Sequence, residues 1–317
     1  MQRIFAFSMI LLACAGMFLA GCESLNGPDA AVDEAATITE SFEASTLDGE
    51  ASILKSAGVI VDSANAFLTL RWSEESGRFQ SDNTVKGHAA AVAFEKPTTL
   101  RDRNALGLDM GEVSVLNGTN QFDLPKLTNT LFGVRYGKFG GPRGPKGGMG
   151  GPRGGHGGPR DSLFAIVNIP FIGGSTYQFN ITGSDKVAAM KLDIKAPAQL
   201  VQIAGLANKD TIDATQDLTI TWQGDATTNT VLVLAPARKH GRFGRGQPVQ
   251  PIFQRVDAGA LSYTISTQTL QDLLNQSTAK AFSLHLSQSV VNEIIDATLG
   301  KILVSAGTDD QVLLTVK

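Results

Sequence analysis

Cysteine is nearly absent from the 317 residues: Cys14 and Cys22 are the two, both close to the N-terminus. The chain beyond them has no disulfide framework, so its fold rests on core packing. Histidine is also sparse. His88, His156, His240 and His285 stand isolated, and no His-Glu-x-x-His is present. There is no Gly-x-Ser-x-Gly elbow, since Gly173-Gly174-Ser175-Thr176-Tyr177 lacks the final glycine. No Asp-x-Asp-x-Asp-Gly calcium loop and no Gly-Lys-Ser/Thr phosphate loop occur. The most apolar segment, Ile4–Leu19, has sixteen residues, short of the roughly 20 that span a bilayer as a helix. These absences leave no cofactor and no metal to expect, and no enzyme class to name; a hydrolase whose site assembles from scattered residues stays open.

What is present begins at the N-terminus. Met1-Gln2-Arg3, the apolar segment and the small residues Ala20-Gly21 make a secretory signal that ends on Cys22. Leu19-Ala20-Gly21-Cys22 resembles the lipobox of bacterial lipoproteins. The resemblance implies export, removal of residues 1–21, acylation of the Cys22 thiol by palmitate-type chains, and a membrane anchor made of lipid. Two or more such chains anchor stably. Glu23 rather than Asp follows Cys22, which in the enterobacterial sorting pattern implies the outer membrane, on either its periplasmic or its surface face.

A chain starting at Cys22 has 296 residues, enough for one large or two medium domains. Its formal charge is about −4, which is not that of a nucleic-acid reader. The charge is uneven. Residues 22–54 hold eight acids and no Lys or Arg. With Phe42 as the one aromatic of residues 23–50, residues 22–56 read as an acidic tether with too little apolar area to order itself. A short helix over Asp33–Ala44 is the alternative for part of it.

From residue 57 onward a period of two dominates. Val59–Val61, Phe67–Trp72, Ala89–Phe94, Glu112–Leu116, Gln121–Leu124, Leu131–Tyr136, Ser162–Ile169 and Thr176–Ile181 read as strands. Asn117-Gly118 reads as a hairpin turn, and Gly183-Ser184 as another turn. Later, Leu218, Ile220 and Trp222 alternate with Thr219 and Thr221, and Val231–Leu234 suits a central strand. Phe282, Leu284 and Leu286 alternate again, which puts His285 on a solvated outer face. Leu270, Leu273 and Leu274 fall at i, i+3, i+4, so Thr267–Asn275 reads as a short helix. Lys301–Ser305 and Val312–Val316 close the series.

The fold class expected is mainly β: an antiparallel β-sandwich architecture of two β domains, 57–195 and 196–317. Asp217–Trp222, after a proline-bounded strand, resembles an early strand of the immunoglobulin- or fibronectin-like sandwiches of bacterial surface lipoproteins. The cysteine pair of antibody-type domains is missing.

Two basic insertions interrupt the strands. Residues 137–160 are half glycine, repeat Gly-Gly-Pro-Arg, and carry five Lys/Arg and no acid. Glycine is not at every third place, so this is not collagen; a flexible, disordered loop is expected. Residues 236–251 form the second. Arg143, Lys146, Arg153, Arg160, Arg238, Lys239, Arg242 and Arg245 are the candidate polyanion-binding residues, because guanidinium forks pair bidentately with phosphate or carboxylate. Phe139 and Phe243 add one aromatic each. His156 and His240 alone are too few ligands for a metal site. The expected partners are the membrane, through the lipid anchor, anionic glycan or lipopolysaccharide, and other envelope proteins. The functional expectation is a non-catalytic structural or scaffolding lipoprotein of the envelope, with anion capture as the alternative.

Overall fold

The computed structural model describes residues 38–39, 47–74, 85–97, 105–130, 132–137, 167–239, 250–276 and 280–317. They divide between two units. The small one takes residues 1–39 and 239–245, of which Ile38–Thr39 and Lys239 are described, both in short strands. The large one carries the rest and is mainly β.

Its strands are β1 (Ala66–Glu74), β2 (Val85–Ala93), β3 (Val113–Asn117), β4 (Asn120–Asp123), β5 (Lys126–Asn129), β6 (Gly133–Gly137), β7 (Thr176–Ile181) and β8 (Met190–Lys195). There follow β9 (Gln202–Ala204), β10 (Thr211–Ile212), β11 (Leu218–Gln223), β12 (Thr230–Pro236), β13 (Ile252–Val256), β14 (Ser262–Ile265), β15 (Ala281–Asp296) and β16 (Gly300–Val316). Two helices, α1 (Leu47–Ser56) and α2 (Thr267–Gln276), complete it. The central sheet runs β13-β12-β15-β16-β1-β2-β6-β5, with β10 beside the end of β16. Its pairs are antiparallel except β16–β1 and β10–β16.

Two smaller antiparallel sheets, β4-β3-β7-β8 and β9-β11-β14, cover one face of this sheet. The first buries Val115, Tyr177, Phe179 and Ile194 against Leu68, Leu70 and Trp72 of β1 and Ile302, Val304 and Ala306 of β16. The second, with Leu270 and Leu273 of α2, buries Ile220 and Trp222 against Leu232, Leu234, Phe282, Leu284, Leu286, Val312 and Leu314. Both layers are β-sandwiches, as the alternation predicted. The helix at 267 and the buried central strand at 231 also match.

One feature of the sandwiches differs from expectation: they share a sheet. β15 and β16 pair without a break from Ala281↔Thr315 to Asp296↔Gly300. At about 3.4 Å per residue this ladder is about 50 Å long, enough to run beneath both small sheets. The separate segments Lys301–Ser305 and Val312–Val316 are therefore one strand. A boundary at residue 196 leaves β16 on one side and its parallel partner β1 on the other.

The other face of the central sheet is also covered. The last ten residues of the expected tether are α1. Gly49, Glu50, Ile53 and Leu54 fall on one stripe of it and are buried. Leu54 packs with Phe67, Val92 and Leu303, and Ile53 with Val231, Val233 and Ala235. The helix ends in a Schellman motif: the Val59 amide donates to the Leu54 carbonyl at 3.0 Å and the Gly58 amide to that of Lys55 at 3.0 Å. Gly58 takes φ +93°, which favours glycine. Val59–Val61, expected as a strand, is thus the cap and the turn that follow the helix. This cover corrects the reading of His285. It lies on the α1 side of β15 and is 3% exposed, because β15 is a central strand with both faces buried.

Candidate functional site

The α1-covered face carries a buried polar cluster. β1 presents apolar Leu68, Leu70 and Trp72 to one sandwich, so Phe67, Thr69 and Arg71 must point the other way. Arg71 is 2% exposed. Its Nε donates to Glu50 Oε2 at 2.5 Å, and its Nη2 is an ion-pair contact at 2.5 Å to the same oxygen. Its Nη1 donates to Asp309 Oδ1 at 2.9 Å and to Ser287 Oγ at 2.7 Å. Ser305 Oγ donates to Glu50 Oε1 at 2.8 Å. A Cβ on Gly307 would lie 2.5 Å from Arg71 Nη1, so glycine there leaves room for the guanidinium. Four elements, α1, β1, β15 and β16, meet at one cation.

Two carboxylates share that cation in a buried place. Burial is the dominant influence on Glu50 and raises its pKa above the ordinary value, while Arg71 pulls against it. Burial alone would lower the pKa of Arg71; Asp309 and Glu50 outweigh it and hold the guanidinium charged. Burial pushes the His285 imidazole down to about 3, so it is neutral at neutral pH. Ser287 accepts from a cation and is enclosed, which makes it a structural hydroxyl and not a nucleophile in reach of substrate.

A second polar knot sits where β6 meets the loop before β3. Tyr136 Oη donates to Asp109 Oδ1 at 2.8 Å, and Lys126 Nζ donates to Asp109 Oδ2 at 2.6 Å. The lysine, with the Gly111 amide and Tyr136, holds the Asp109 carboxyl down to about 2. A third joins the start of the second sandwich to β15. Asp225 accepts from the Ala198 amide at 2.8 Å, and Gln288 clasps the Asp225 backbone. All three tie elements together.

Of the residues singled out from sequence, Cys22, Arg143, Lys146, Arg153, Arg160, Arg242, Arg245, Phe139, Phe243, His156 and His240 lie outside the described residues; of Asp33–Ala44, considered as a helix, Ile38–Thr39 alone are described, and they form a two-residue strand. Arg238 and Lys239 form a two-residue strand. Asp309 and Asp310, adjacent in sequence, point to opposite faces: Asp310 accepts from the Ile203 amide at 2.6 Å. Ser175 serves a turn, donating to the Ile172 carbonyl. Among the described residues no group of three His, Cys, Asp or Glu side chains forms a metal site, and no helix is long and apolar enough to cross a membrane.

The described residues that bracket the insertions are well placed. Gly137 pairs with Ala90 of β2, and the Ile169 amide donates to the Gly87 carbonyl of the same strand at 3.0 Å. The first insertion therefore leaves and rejoins one strand, three residues apart. The second is bracketed by Pro236, level with Leu314 through Phe282, and by Ile252, paired with Leu234. Gly137 and Gly87 are level with Ser305 and Thr308 through β1. The brackets of the first insertion are thus level with Ser305 and Thr308 of β16, and those of the second with Leu314 and Val312.

No protein-family model and no curated protein matches the chain. Among solved structures, the chain is similar to the crystal structure of Dpr11 IG1 bound to DIP-gamma IG+IG2, at 11% identity over 79% of this chain and 96% of that chain, with a TM-score of 0.17. A likeness of that strength carries no argument about fold or function.

Proposed function

We propose that the protein is a lipid-anchored, non-catalytic scaffold of the bacterial cell envelope, acylated at Cys22 and held at the outer membrane. The observation that carries this reading is the sequence Leu19-Ala20-Gly21-Cys22 after an apolar segment too short to span a bilayer. The body supports it as a scaffold: its charged clusters are spent on joining elements, and a 17-residue strand braces both sandwiches. Metabolic labelling with a fatty-acid probe tests the anchor. Cys22→Ala is expected to abolish labelling and release the protein from membranes; equal labelling of the variant would sink the reading.

A second reading, capture of anionic envelope polymers, is favoured by the charge of the two insertions, which hold nine Lys/Arg and no acid over residues 137–160 and 236–251. Under it, changing Arg143, Arg153, Arg160, Arg242 and Arg245 together to Gln removes binding to heparin or lipopolysaccharide. Binding by the parent chain is salt-sensitive, since surface charge is screened over about 8 Å at physiological ionic strength. Absence of binding at low salt by chains with and without the acidic segment 22–46 would leave the scaffold reading alone.

A further inference from the structure

Helix α1 is attached to the central sheet without belonging to it. It supplies no strand pairing, so no ladder hydrogen bond depends on it. Its large apolar attachments are Ile53 and Leu54, few beside the layers on the opposite face. Its buried charged attachment is Glu50, which binds Arg71 and accepts from Ser305 Oγ at 2.8 Å; undocking opens both groups to water and leaves Arg71 matched in charge. Arg71 keeps Asp309 at 2.9 Å and Ser287 at 2.7 Å, both from strands of the sheet. With the helix docked, two carboxylates compete for one guanidinium; without it the pair is one to one.

The other ionisable groups on this face do not replace Glu50. His88 lies across the strand pair from Arg71. His285 is held neutral by burial. Asp48, in the first turn of α1, lies in the field of Arg135 on β6. Lys55 is on the exposed side, 2.9 Å from Asp62 in the following loop.

We propose that α1 is a detachable strap, which leaves and re-docks on the central sheet as a unit while the sheet, with its Arg71–Asp309 pair intact, stays folded. Undocking is a local opening of the kind that ranks below global unfolding in free energy. The consequence rests on the anchored reading above: release of residues 47–56, with Val61 and Ala64 still buried, lets the body stand further from its anchor by up to about 30 Å of extended chain.

Hydrogen exchange read by mass spectrometry on the full chain in detergent tests the strap without reference to Cys22. Its failure would leave the lipid anchor untouched, and the reverse also holds. Amides of residues 51–56 are expected to be protected at least about 100-fold less than those of β15 and β16. A single shared protection level, with helix and strands opening only together, would overturn the proposal. The double variant Ile53→Asp, Leu54→Asp holds the strap off. It is expected to lose protection in 47–56 and to keep slow exchange in β1, β15 and β16. Loss of protection across those strands, or failure to fold, would show that the helix is a structural part of the core and overturn the proposal.

Discussion

Glu50→Gln has the shape of the protonated carboxyl, so it separates the cost of burying a charge from the value of the contacts. The raised pKa fixes the sign. The folded state holds the Glu50 proton more tightly than the unfolded state, whose value is about 4.3. The favourable contribution is fully present below that value and is lost as pH rises through the higher folded value. Melting temperatures of the parent and Glu50→Gln should therefore converge, or the variant should overtake, as pH is raised from about 4.5 to 8. A variant that falls further behind with rising pH would mean that Glu50 folds ionised with a lowered pKa. Gly87 makes a second test at this scale. A Cβ there would stand 2.0 Å from the Ile169 carbonyl oxygen and 2.6 Å from the Trp72 ring. Gly87→Ala is expected to cost about 2 kcal/mol or more by overpacking, read as a lower denaturation midpoint; an unchanged midpoint would contradict the close approach of β2 to residue 169. Of these residues the sequence revealed little. Arg71 sits between Leu70 and Trp72, and the alternation alone does not tell whether its face meets solvent or another layer. The one local hint was Phe67, four residues earlier on the same face, since a solvated face seldom carries a large aromatic.

At the scale of elements, the strands were legible wherever one face alone is buried. β11 alternates Ile220 and Trp222 with exposed Thr219 and Thr221, and its pattern needs no knowledge of neighbours. The turn at 118 was legible too, because Gly118 takes φ +58°; the two-residue loop is Gly118-Thr119, and Asn117 stays in the strand, opposite Asn120. α1 was not legible. Its buried stripe has only Ile53 and Leu54 as large apolar residues, and what it packs on is a sheet that brings together Phe67, Val92, Val231 and Leu303 from distant parts of the chain. The same holds for His285, whose burial is decided by α1 and by strands on both sides. The brackets of the first insertion, both against β2, yield a further prediction. Deleting residues 138–160 shortens a loop whose ends are already close, so closure entropy changes by only about 1 kcal/mol. The melting temperature should shift by no more than about 4 °C. A larger loss would mean that the segment packs on the body.

At the scale of the whole molecule, both sandwiches are braced by one sheet and form one cooperative body. The two tryptophans report on it separately. Trp72 lies in the core of the first sandwich and Trp222 in that of the second. Each is followed alone by replacing the other with phenylalanine. Within each variant, urea unfolding is recorded by tryptophan fluorescence and by far-ultraviolet circular dichroism on the same samples. Because β15 and β16 belong to both cores, the two signals are predicted to superimpose in a single cooperative transition in both variants, the standard test for an all-or-none unit. A strand signal that keeps a second step after the remaining tryptophan has unfolded would show two sandwiches that melt independently, and would contradict the shared sheet.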